Sequence, residues 1–182
     1  TYEKLTYEVK GTDANEDGYT GSFTGDVVIK DEKGNNVTDN YVIEQPEGKL
    51  IIKQAPLTII AGSDSQVYNG KALTCDSYSV DSTTKLKGSD AIESVKVTGS
   101  QTLVGDSDNI ASGAVIKNGS GDNVTKNYDI TYKKGTLSVT QGAIKVSFTG
   151  ESQEVTYNGG EQKFTGIKVD GLLDGHTYEK LT

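Results

Sequence analysis

Residues 115–141 read VIKNGSGDNVTKNYDITYKKGTLSVTQ, and residues 28–54 read VIKDEKGNNVTDNYVIEQPEGKLIIKQ on the same plan. At a constant offset of 87, Ile29 aligns with Ile116, Gly34 with Gly121, Asn36 with Asn123, Val37 with Val124, Thr38 with Thr125 and Asn40 with Asn127. The frame continues through Tyr41/Tyr128, Ile43/Ile130, Gly48/Gly135 and Leu50/Leu137 without an insertion. Identity sustained in one frame over this length marks a duplicated structural unit. Within the unit, Tyr128, Ile130 and Tyr132 alternate with polar residues, and so do Leu137 and Val139. That is the period-two pattern of half-buried strands.

Further echoes lie outward from this stretch. Val67-Tyr68-Asn69-Gly70 returns as Thr156-Tyr157-Asn158-Gly159 at an offset of 89, and Leu86-Lys87-Gly88 returns more loosely as Leu173-Asp174-Gly175. Residues 1–6, TYEKLT, recur identically as residues 177–182, a period of 176 that equals the two offsets together. The frame predicts three segments. Residues 1–54 form the C-terminal half of a repeat B, residues 55–141 a complete repeat A, and residues 142–182 the N-terminal half of another repeat B. Such a chain is cut at one phase from a longer array, and a circular permutation leaves the same pattern.

Repeat A opens with Pro56-Leu57-Thr58-Ile59-Ile60, an apolar strand whose proline sits at the first position, where a missing N–H costs least. Tyr68-Asn69-Gly70 predicts a tight turn, because Asn-Gly accepts positive φ. Tyr78 with Val80, and then Ile92, Val95 and Val97, predict two more strands, with a turn over 99–109. Ala114 and Ile116 lead into the loop Asn118-Gly119-Ser120-Gly121. Six or seven short strands per repeat give an all-β expectation: tandem small antiparallel β-sandwich repeats of immunoglobulin-like type. The alternative is a β-grasp-like module with one short helix over 83–93.

Composition narrows the function classes. Ten Tyr and the alternating Val, Ile and Leu runs supply a buried face that disordered chains lack. A net charge of -8, with every basic residue a lysine, leaves neither the basic surface nor the guanidinium forks that nucleic acid or anionic membranes require. No apolar run approaches the roughly eighteen residues needed to span a bilayer. Cys75, the single cysteine, has no internal disulfide partner and reads as a small core-filling residue.

Candidate chemistry is sparse. His176 is the lone imidazole, with no nucleophile or orienting group marked near it, so no catalytic residue and no cofactor are expected. Asp13, Asn15 and Asp17 before Gly18 match the first half of a calcium loop, but the twelfth position is Thr24 in place of a bidentate glutamate. A solvated acidic turn is the preferred reading, and a weak calcium turn is the alternative. Asn36, Asn118 and Asn123 head glycosylation-type triplets that read better as turn chemistry. Asn40 and Asn127, each before a tyrosine, raise a Lys–Asn isopeptide bond, which requires a buried lysine and a protonated acid alongside.

The opening APLTI, the VYNG turn, the stretch VKVTGSQTLVGDSDN and the ending NVTKNYDITYKKGTLSVT resemble the mostly-bacterial glycine-rich (MBG) repeats of large surface proteins. The resemblance is specific in the last thirty residues of each unit and loose in the middle, where repeat B carries GTDANEDGYTG. It implies a non-catalytic stalk or spacer on the bacterial cell surface, extracellular and adhesin-like, with no site residues to carry over. The expected partners are neighbouring copies or adjacent repeats, assembling head-to-tail through complementary half domains into a filament. The alternative is an adhesive module that binds a host glycan or protein.

Overall fold

The computed structural model describes residues 5–179 and is all-β. Residues 1–4 and 180–182 lie outside the description, so the recurrence of TYEKLT falls largely beyond it. Before repeat A come β1 (Thr6–Glu8), β2 (Asn15–Thr20), β3 (Ser22–Thr24) and β4 (Lys49–Ile52). Repeat A holds seven strands: β5 (Ala55–Ala61), β6 (Asp64–Val67), β7 (Tyr78–Val80), β8 (Ala91–Thr98), β9 (Gly105–Lys117), β10 (Tyr128–Lys133) and β11 (Gly135–Thr140). After it come β12 (Ser147–Gly150) and β13 (Ile167–Asp170).

The described chain divides into two compact units. The first takes the residues up to Ala61 together with Tyr78–Val97 and Ala111–Lys133. Its central strand is β5, flanked by β10 in parallel and β7 in antiparallel register. Leu57, Ile59 and Ala61 point from β5 into a core shared with Ala111, Ala114 and Ile116 of β9 and with Val124 and Tyr128. The switch from odd to even numbers along β9 has a local cause. Gly113 adopts φ +59°, which inserts an extra residue and resets the alternation, so that Ala111 and Ala114 share a face. The N-terminal strands add two small antiparallel pairs, β1–β3 and β2–β4.

The second unit comprises Gly62–Ser77, Thr98–Ile110 and the residues from Lys134 onward. Here β11 lies between β9, antiparallel, and β6, parallel. Leu73, Leu137 and Val139 form a small core with Tyr68 and Cys75 against it. Asn109 is fully buried beside it, and its Nδ2 donates to the carbonyls of Gly62 (2.8 Å) and Cys75 (2.7 Å), tying two loops to β9. Downstream, β12 and β13 form a separate antiparallel pair.

Four expectations need correction. The sheets are mixed, because β10–β5 and β11–β6 run parallel where an antiparallel sandwich was expected. The helix required by the β-grasp alternative is absent: residues 83–93 hold turns, irregular chain and the start of β8, because Gly88 at φ +52° and the Asp81 turn interrupt any helical run. The turn over 99–109 is shorter than expected, since β9 begins at Gly105. Gly70 does take a left-handed φ of +78°, but the strands on either side of it pair with β11 and β5, so the Asn-Gly turn closes no hairpin.

Candidate functional site

The duplication reappears in hydrogen-bond detail. In the first copy Val37 N–H donates to Ile29 O and Gly34 N–H to Asp31 O. In the second Val124 N–H donates to Ile116 O and Gly121 N–H to Asn118 O. Thr38 Oγ1 accepts the Ile29 N–H at 2.9 Å, and Thr125 Oγ1 accepts the Ile116 N–H at 2.8 Å. Both copies end in a one-turn 3-10 helix, Thr38–Asn40 and Thr125–Asn127. The asparagine oxygens of the glycosylation-type triplets are engaged within these turns: Asn36 accepts Thr38 N–H, Asn118 accepts Ser120 N–H and Asn123 accepts Thr125 N–H. Gly34 and Gly121 take φ +85° and +90°, as their turns demand.

The two copies meet different surroundings. Tyr128 is 4% exposed on β10, and its hydroxyl accepts the Lys87 N–H and donates to the Asp90 carboxylate. Burial, together with the Asp90 charge, pushes that phenol above its ordinary pKa. Tyr41 is 57% exposed, Ile43 42% and Val42 92%. The aligned tyrosines therefore differ in burial despite their shared place in the repeat. The physical reason is coverage: β10 lies along β5, whereas among the described residues 41–46 join no strand ladder. What remains in unit 1 is an open groove of about 450 Å³ lined by Leu5, Phe23, Val27, Ile29, Val42 and Ile43. Ile29 is half-buried there, while its counterpart Ile116 is fully buried against β5.

The C-terminal segment shows the complementary condition. The ladder β12–β13 pairs Phe148 with Val169, Thr149 with Lys168 and Gly150 with Ile167. The ladder β5–β7 pairs Ile59 with Val80, Ile60 with Ser79 and Ala61 with Tyr78. Each residue is displaced by 89, the offset already set by the two Tyr-Asn-Gly turns. Ile59 is fully buried, yet Phe148 at the matching position is 57% exposed, and Tyr157 beyond it is 87% exposed.

The other predicted residues do not gather into a site. Asp13 spends its carboxylate on Lys126 Nζ (2.8 Å) and Asn127 Nδ2 (2.9 Å), which hold it below the usual carboxylate pKa. Asn15 Oδ1 accepts the Asp17 and Gly18 N–H groups. Gly18, at φ +82°, lies at a register shift between β2 and β4, so this glycine serves a strand irregularity. Among the described residues no three carboxylate, imidazole or thiol groups cluster as metal ligands. Asn127 is engaged by Asp13 and by Ala14 N–H, and with Asp13 ionised and Lys126 exposed, the trio needed for an isopeptide bond is not assembled there. His176 is exposed, 6.3 Å from the Tyr68 ring. Cys75 packs at the edge of the small core, with Sγ 3.1 Å from Ser77 Oγ. Sequence reading missed the Tyr128 hydroxyl network and the buried Asn109, because neither a phenol nor an amide announces its partners by spacing.

No protein-family model matches the chain, and no curated protein or solved structure matches it.

Proposed function

We propose that this chain is a segment of a serially repeated, non-catalytic spacer of an extracellular bacterial surface protein, as its resemblance to MBG repeats implies. One observation carries the reading: the offset of 87 reproduces the turn hydrogen bonds of 29–41 in 116–128, and the offset of 89 reproduces the β5–β7 register in β12–β13, which supports a single module recurring along the chain. A repeated module whose stability adds over units and their contacts suits a role that is spatial. The use of tyrosine in the complete repeat supports this over the adhesive alternative. Of its four tyrosines, Tyr128 is buried and Tyr68 packs on the small core, while the exposed Tyr132 accepts Ala114 N–H through its hydroxyl and Tyr78 is exposed on β7. Small-angle scattering on chains lengthened by whole 176-residue periods tests it. The maximum dimension is expected to grow by an equal increment per period, and a dimension that saturates defeats the reading.

A further inference from the structure

We infer that residues 41–46 are a parallel docking edge for residues 144–149 of a second copy of this chain, whose Val146 and Phe148 fill the groove over Ile29. This deepens the spacer reading and rests on its repeat frame. The complete repeat A is the template. There β10 runs parallel to β5 with Tyr128 opposite Ala55, Ile130 opposite Leu57 and Tyr132 opposite Ile59. Moving β10 back by 87 and β5 forward by 89, the offsets fixed by turn geometry and by the β12–β13 register, sets Tyr41 opposite Ile144, Ile43 opposite Val146 and Gln45 opposite Phe148.

Three independent features agree with this register. The groove beside Val42 and Ile43 lies where Leu57 and Ile59 cover Ile116 in repeat A, and the inferred occupants Val146 and Phe148 are apolar as well. The exposed apolar residues fall on both proposed partners: Tyr41, Val42 and Ile43 on one side, Ile144, Phe148 and Val155 on the other. Charges also match. The second parallel ladder, β11 with β6, translates to β4 with residues 153–156 and sets Ile51 opposite Glu154. Lys145 then falls diagonal to Glu44, and Glu154 diagonal to Lys53, so opposite signs meet in both ladders. An unpaired strand edge beside an apolar groove accepts an added strand through main-chain hydrogen bonds. Because the two surfaces differ, the contact is heterologous and one copy leads to the next.

Cross-linking tests the register. In a Cys75→Ser background, chains carrying Ile43→Cys are mixed with chains carrying Val146→Cys and oxidised, so that any disulfide between the two sites joins separate molecules. The expected result is disulfide formation at least about tenfold faster than with Ser147→Cys, whose side chain faces the opposite side of the strand. A third preparation, extended beyond residue 182 by the remainder of repeat B, carries Val146→Cys and the Ile43→Cys equivalent one period on, and there the bond should form within one molecule. If the extended chain cross-links and the mixed chains do not, the inference of docking between copies is overturned while the repeat frame stands. If neither cross-links, the repeat frame falls with it. The unfolding midpoint of repeat A, measured on each variant, verifies that the chains are folded.

Discussion

Repeat A and the segments that flank it are built from the same sequence plan, yet among the described residues every fully buried one, from Leu57 to Val139, lies in repeat A. The flanks hold a full set of turns and two-stranded ladders with hardly any interior. This difference separates two things that a repeat sequence encodes. Local geometry is carried by the segment itself: the Asn, Gly and Thr residues of 29–41 form the same turn as those of 116–128 whatever lies nearby. Burial is carried by partners distant in sequence, since Tyr128 is covered by β5, which lies 73 positions before it at Ala55.

The sharpest way to break the comparison is to truncate equivalent core positions. Ile116→Ala is expected to cost about 2–5 kcal/mol by chemical denaturation, the range for emptying a packed site. Ile29→Ala in dilute solution should cost less than half as much, and equal losses would show that the flank has a core of its own. Next in size, Asn109→Ala removes donors from two part-buried carbonyls, Gly62 and Cys75, and is expected to destabilise by about 1–3 kcal/mol. Its exchange signature sharpens the point, with the Gly62–Ser77 loops losing amide protection first.

Tyr128→Phe leaves Lys87 N–H and Asp90 without their hydroxyl, a loss of about 1–2 kcal/mol. Tyr41→Phe should lie within about 0.5 kcal/mol of the unaltered chain, as for exposed positions. The phenol also sets a pH dependence. Because the folded pKa of Tyr128 is raised, its contribution is complete below the ordinary value of 10.0 and is lost as pH rises through the folded value. The smallest effect is expected at Asp81, where Lys133 and the Thr83 turn hold the carboxyl well below its ordinary range. A depressed carboxylate pKa stabilises above the unfolded value of 3.8 and is lost as pH falls. Asp81→Asn should therefore lower the melting temperature slightly at pH 7, with the gap closing as pH drops below 3.8.

The legible part of the fold was the part with alternating apolar residues. β5, β8, β10 and β11 carry Leu57 and Ile59, Val95 and Val97, Tyr128 and Ile130, and Leu137 and Val139 in period two. β6 was not legible, because Asp64-Ser65-Gln66-Val67 is polar and is held by its ladder to β11 rather than by a buried face. Parallel pairing left no local trace, since it depends on which distant strand arrives alongside. The extra residue at Gly113 was equally silent, for a lone glycine in a strand pattern marks a bulge only once both neighbours on the core face are known. The groove escaped notice for a related reason: Ile29 and Ile116 sit in the same Val-Ile-Lys triplet, and coverage tells them apart.

The parallel pairing of β5 with β10 in repeat A has a mechanical consequence. If force is applied to the chain entering β5 at Ala55 against the chain leaving β10 at Lys133, the two strands slide along their common direction. The evenly spaced, slanted hydrogen bonds of this parallel ladder then bear the force together in shear. An antiparallel hairpin pulled at its open end would instead unzip one bond at a time, whereas this arrangement resists tension until a whole ladder ruptures at once.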